Sequence, residues 1–226
     1  MKAVIFGATG MVGQGVLREC LRDERIDEVV AVGRTAVRGD HPKLRDVVAD
    51  LWHLDPAEFT DADACLFCLG VSSAGMSEQD YRRITHDLTM AVAEVFPAGT
   101  TFCYVSGAGT DSSERGRIRW ARIKGRTENA LLAKPFPAYM FRPGIVQPMH
   151  GVVSKTPLYR TVYRFTGPLL SGLRRLFPRL VTSSEDLGRA MVRVAIDGWP
   201  QHILETRDIN EAAAGPAGRS ARPDPA

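Results

Sequence analysis

Three glycines spaced by three, in Gly7-Ala8-Thr9-Gly10-Met11-Val12-Gly13, follow directly on the apolar run Ala3-Val4-Ile5-Phe6. Glycine at such a place permits a tight turn and a close backbone approach. The free amides at the start of a following helix, with its positive dipole end, bind phosphate oxygens. The chemistry predicted for Gly7, Thr9, Gly10, Met11, Val12 and Gly13 is therefore a grip on a dinucleotide pyrophosphate. A bare glycine pattern says little, whereas one set between a strand and a helix is specific. A second apolar run ends in Gly33-Arg34. An NAD-selective protein carries an acid there to bind the ribose hydroxyls, and an arginine favours the 2′-phosphate of NADP. The bland readings are a turn without a ligand and a solvated arginine.

The elements that must hold these residues are read from periodicity. Lys2 to Phe6 and Glu28 to Val32 are short apolar runs of the kind buried in a parallel sheet. Between them Met11 to about Leu21 repeats Val12, Val16, Leu17 and Leu21 at helical spacing. The alternation continues with strands at Arg45 to Ala49, Ala64 to Leu69, Thr100 to Val105 and Ala138 to Phe141. Helices are predicted at Glu78 to Phe96 and Arg117 to Leu132. Strands alternating with helices imply right-handed crossovers and a doubly wound α/β parallel sheet. After Gly144 an aromatic, basic stretch with Tyr159, Tyr163, Phe165 and Phe177 reads as a small cap, about 145–182, inserted into a single domain of residues 1–211. Ser183 is a helix N-cap, with Glu185 and Asp186 in the first turn and Leu187, Ala190, Met191 and Val194 on one face. From Ala212 to the end, Ala, Gly and Pro without periodicity predict a disordered tail.

The Gly-x-x-Gly-x-x-Gly spacing resembles the extended and atypical short-chain dehydrogenase/reductase superfamily. Tyr104 to Gly109, Trp120 to Asn129 and Phe141-Arg142-Pro143-Gly144 look like the epimerase-like Tat-interacting protein 30 group. The likeness runs to about Asn210 and implies a Rossmann fold. It further implies that Asp50 contacts adenine, that Leu51 and Pro143 bind the cofactor, and that Leu69 and Gly70 line its nicotinamide ribose side. By the same likeness Ser106 orients the substrate and Lys124 holds the nicotinamide ribose. The superfamily's Tyr-x-x-x-Lys pair is here Trp120-Ala121-Arg122-Ile123-Lys124. An indole N–H donates a hydrogen bond but trades no proton near neutral pH, so Trp120 cannot take the tyrosine's role. Proton delivery would fall to water or to a cap tyrosine such as Tyr159 or Tyr163. Two functions stay open: an NADP(H)-dependent oxidoreductase or epimerase, with NAD(H) the less favoured cofactor, and a non-catalytic NADPH-sensing protein in which Trp120 is a packing residue.

The rest of the composition narrows the class. With 226 residues, 44% hydrophobic and 24% charged, the chain can bury a core without disulfides or metal. Four cysteines lack a disulfide spacing, and Cys65 and Cys68 fall on a strand at i and i+3, on opposite faces. The five histidines show no ligand spacing, so no metal is expected. A net charge of +3 without a recognised motif gives no support for nucleic acid. From Lys134 to Arg179 eight cations stand without one carboxylate, which predicts attraction of anions, as a lid over a substrate or as contact with an anionic membrane surface. No run of about 20 apolar residues predicts a membrane span, and no signal peptide opens the chain, which makes cytoplasm the expected location. The substrate is an unknown small molecule, and the oligomeric state is not predicted.

Overall fold

A computed structural model describes residues 1–37, 39–150 and 179–215. Strand β1 (Lys2–Phe6) leads through the glycine turn into α1 (Met11–Arg22), followed by β2 (Glu28–Gly33), β3 (Leu44–Val48) and β4 (Ala64–Phe67). Helix α2 (Glu78–Arg82) passes through a π turn, Arg83–Asp87, into α3 (Leu88–Ala93). Then come β5 (Thr101–Val105), α4 (Arg119–Leu132), β6 (Ala138–Arg142) and β7 (Ile145–Gln147). The described chain resumes before β8 (Val181–Ser183), α5 (Ser184–Asp197), β9 (Ile203–Glu205) and α6 (Thr206–Ala214).

Seven strands form one sheet in the order β3-β2-β1-β4-β5-β6-β9, every pairing parallel. This is the doubly wound Rossmann arrangement, and the winding direction reverses between β1 and β4, where ligands bind in such sheets. Alternation along β1 explains the two layers. Ala3 and Ile5 join one core with Val16 and Leu17 of α1, Leu187 and Met191 of α5 and Ile209 of α6. Val4 and Phe6 join the other with Phe59, with Leu88 and Val92 of α3 and with Leu131 of α4. Because both faces are covered, the central strands read as unbroken apolar runs.

Two helix contacts fix the first helix. A β-carbon at Gly15 would lie 2.3 Å from the Ser184 carbonyl oxygen, and one at Gly188 would lie 2.8 Å from that of Gly15, so α1 and α5 touch backbone to backbone. Ser183 caps α5 as expected, its hydroxyl accepting from the Asp186 amide at 2.9 Å.

The structure also departs from the sequence reading. The strands β7, β8 and β9 have three residues each, too short for a period to declare itself. The tail does not begin at Ala212, because α6 continues through Ala214 and buries Ala212 and Ala213 in the core. Its start is held by Glu205 and Asp208 in a reciprocal capping box. The cap stretch from Lys155 to Phe177, with Tyr159 and Tyr163, and the tail beyond Gly215 lie outside the described residues. Among the described residues no helix is long and apolar enough to cross a membrane.

Candidate functional site

Parallel register brings the carboxyl ends of the strands to one edge, with Phe6 level with Val32 and Phe67, and Val105 level with Phe141. The residues just beyond, Gly7, Arg34, Cys68, Ser106 and Pro143, therefore surround the switch point. A cleft of about 810 Å³ opens there. Gly7, Thr9, Gly10, Arg34, Asp50, Leu51, Leu69 and Gly70 all line it, joined by Trp52, Arg83 and Ile84.

The glycines have geometric reasons. Gly7 sits at φ +80°, and a β-carbon on it would meet the Leu69 amide nitrogen at 2.8 Å. A β-carbon on Gly13 would come within 2.1 Å of the Gly7 carbonyl oxygen. The Gly10 amide donates to that same carbonyl at 2.9 Å, closing the turn. Gly10 is also the N-cap of α1 and brings no side chain to the first turn, whose amides are those of Met11, Val12 and Gly13. Of this segment Gly7, Ala8, Thr9 and Gly10 line the cleft, and Met11, Val12 and Gly13 stand behind that lining.

Arg34 follows β2 on the exposed rim and has no carboxylate partner among the described residues. Asp50 follows β3, where its carboxylate accepts from the Trp52 amide at 3.1 Å and sits 2.7 Å from His53 Nδ1. His53 and the Trp52 amide hold its pKa below the ordinary carboxylate value. Arg83, from the π turn, lies over the Trp52 ring, 5.4 Å from its centroid.

Ser106, Lys124 and Pro143 form a second group, beside the cleft but not among the residues lining it. Lys124 Nζ donates to the Ser106 carbonyl oxygen. The Ala108 amide donates to the Pro143 carbonyl at 2.9 Å. Between them Gly107 leaves the backbone bare, with Lys124 Nζ 3.9 Å from where a β-carbon would stand. Burial lowers the Lys124 pKa to about 8, against the opposing pull of Glu128. Trp120, one turn earlier on α4, packs its ring edge 3.5 Å from the β-carbon position of Gly109.

The Ser106 hydroxyl faces inward. It is 6% exposed and donates to Oε1 of Glu128, which is fully buried. Arg142 closes on the same carboxylate, through Nε at 3.1 Å and through Nη2, and its Nη1 reaches Glu205 at 3.3 Å. Glu128 and Glu205 raise the Arg142 pKa. Sequence reasoning counted Arg142 and Lys134 among cations open to anions, and this is corrected: Arg142 is spent on two carboxylates, and Lys134 pairs with Glu94. It also missed Glu128, although Glu128 stands four residues after Lys124 on the same helix face. Cys65 packs in the core containing Val4 and Phe6, and Cys68 against the opposite core, so their side chains do lie on opposite faces; both are free thiols.

No family model matches the chain. Its sequence is 27% identical to protein fmp52-2, mitochondrial, of Aspergillus terreus, over 87% of this chain and 88% of the relative. It is 28% identical to the rat protein HTATIP2, of the Tat-interacting protein 30 group, over 63% and 61% of the two chains. Among solved structures the fold is similar to an oxidoreductase of the short-chain dehydrogenase/reductase family from Burkholderia thailandensis, with TM-score 0.61, 18% identity and 87% and 85% of the chains covered. It is likewise similar to the Bordetella bronchiseptica enzyme WbmH in complex with NAD+, with TM-score 0.62, 20% identity and 90% and 74% covered. The chain thus has the Rossmann fold of short-chain dehydrogenase/reductase and epimerase structures. The expectation of a cytoplasmic location is corrected, since fungal relatives are mitochondrial proteins by name.

Proposed function

We propose that the cleft binds NADP(H) and that the chain is an oxidoreductase or epimerase of short-chain dehydrogenase/reductase type acting on a small molecule. The observation that carries this reading is the glycine cradle. Gly13 and Gly7 have no room for a side chain because the turn lies against α1 and the loop after β4, and the helix that starts at the cleft has a glycine, Gly10, as its N-cap. A pyrophosphate fits that place by charge and by hydrogen-bond polarity.

When bound, a nicotinamide nucleotide supplies hydride transfer. Gly7, Thr9, Gly10, Met11, Val12 and Gly13 would hold the pyrophosphate, and Arg34 the 2′-phosphate. Asp50, Leu51, Leu69, Gly70 and Pro143 would border the rest of the nucleotide. Lys124 Nζ would hold ribose hydroxyls. With a pKa of about 8 that amine also sits where a proton is given or taken near neutral pH, which Trp120 cannot do. Ser106 is a positioning residue in this scheme, because its carbonyl receives Lys124 while its hydroxyl is turned to Glu128.

One observation favours a second reading, an NADPH-sensing protein without turnover: the Ser106 hydroxyl faces the interior, and an indole stands where the superfamily places its tyrosine. Calorimetric titration with NADPH and NADH, on the wild type and on Arg34→Ala, tests what both readings share. The expected result is tighter binding of NADPH, with the preference lost in the variant. No binding of either nucleotide overturns both readings. Turnover across a panel of carbonyls and alcohols then separates them, and an enzyme whose rate survives Lys124→Ala refutes the role given to that amine.

A further inference from the structure

Arg83 is a cation that its neighbours do not neutralise. On the same face of the molecule Arg82 pairs with Asp87 at 3.5 Å, Arg122 with Glu78 at 3.3 Å and Arg126 with Glu114 at 3.2 Å. Among the described residues no carboxylate pairs with Arg83, and its guanidinium lies over the indole of Trp52. Both side chains line the cleft. Their contact crosses it: Trp52 follows β3, Arg83 follows β4, and β2 and β1 lie between these strands in the sheet.

The π turn explains how Arg83 arrives there. Arg83, Ile84 and Leu88 all line the cleft. Residues five apart stand about 140° apart on an α-helix and roughly 50° apart on a π turn, whose hydrogen bonds join i to i+5. The wider turn therefore lets Arg83 and Leu88 both line the cleft, Leu88 from the core side.

A dinucleotide on this fold places its pyrophosphate at the first turn and its adenosine ribose at the end of β2. The base then extends from Arg34 toward the segment after β3, where Trp52 stands. A guanidinium has two faces; Arg83 turns one to the indole, which leaves the other for a further planar group, and its side chain borders both this cleft and a neighbouring pocket shared with Glu78, Asp87 and Glu114.

We propose that Arg83, seated on Trp52, is a further nucleotide-binding residue that stacks on the purine base of the bound nucleotide. The inference rests on the dinucleotide reading above. A planar delocalised cation on an indole is pre-organised, and base stacking on arginine or aromatic groups is sequence-tolerant and independent of the phosphates. The contact therefore serves NADH and NADPH alike, whereas Arg34 serves only the 2′-phosphate.

Calorimetry with ADP-ribose, NADH and NADPH tests this on the wild type, Arg83→Ala, Arg83→Lys and Trp52→Leu, each first checked for an unchanged melting temperature. Arg83→Ala is expected to weaken all three ligands by a similar factor, about tenfold. Arg83→Lys is expected to restore little of it, and Trp52→Leu to lose a similar factor that adds little to the Arg83→Ala loss. A lysine that binds like the wild type overturns the proposal, because a point charge would then suffice. So does a loss confined to NADPH, or no loss at all, and in those cases the dinucleotide reading stands. A wild type that binds none of the three fails at the earlier reading, before any variant is compared.

Discussion

Gly13→Ala is the substitution that most directly probes the glycine cradle. The added methyl would stand 2.1 Å from the Gly7 carbonyl oxygen, 2.7 Å from its carbon and 2.9 Å from Ala8 Cα, all backbone atoms. To reach even the closest real contact the turn and α1 must part by about 0.9 Å. The helix has nowhere to retreat. Gly15, two residues on and so about 200° round the helix, already lies against the Ser184 carbonyl, with 2.3 Å to a β-carbon position. The strain thus falls on the upper part of the range for overpacking, about 3 kcal/mol. In a chain of this size that lowers the melting temperature by about 6–12 °C. Thermal unfolding followed by circular dichroism reads it, and NADPH calorimetry on the folded variant should show the pyrophosphate grip lost with the displaced turn. Gly70→Ala is the control for the melting temperature, since nothing lies within 4 Å of its β-carbon position. A Gly13→Ala protein melting within about 2 °C of the wild type would refute the reasoning, because the turn would then be able to yield freely.

Other outcomes follow from the second group of residues. Glu128→Ala strips a fully buried carboxylate from Arg142 and should cost about 3–5 kcal/mol in urea unfolding, while Glu128→Met with Arg142→Met should recover most of it; a cost below about 1 kcal/mol for the single variant would sink the account. Lys124→Met should gain stability over the wild type at neutral pH. The folded pKa of Lys124, about 8, lies below its ordinary 10.5, so the unfolded chain binds more protons between those values and the wild type recovers as the pH rises through them. A difference in melting temperature that stays flat from pH 7 to 10.5 would show that the ammonium is not penalised. Burial raises the pKa values of all four cysteine thiols, so a disulfide reagent at pH 8 should label the native chain slowly and the urea-unfolded chain at once.

What could be read from the sequence follows from the range of the interactions. β1, β2, β4 and β5 are covered on both faces, so burial wrote itself into four or five consecutive apolar residues, and the glycines recorded a backbone contact only six residues away. The cleft residues Arg34, Asp50 and Gly70 were legible because each sits one to three positions past a strand end that parallel register must align. The network behind them was not. Glu128, Arg142 and Glu205 come from α4, β6 and β9, separated by 14 and 63 residues, and each taken alone looks like a solvated charge. Burial of Glu128 depends on Arg142 arriving from the next strand, because burying a charge without a partner is costly. The same network turns the Ser106 hydroxyl away from the cleft. Trp120 and Ser106 therefore bear on one question from two directions: the sequence shows that the usual proton donor is replaced, and the fold shows that its usual neighbour is engaged elsewhere. Among the described residues Lys124 is the ionisable group that stands beside the bare backbone of Gly107. The role proposed for that amine turns on its protonation, and the pH dependence of the Lys124→Met difference tests its state without any substrate in hand.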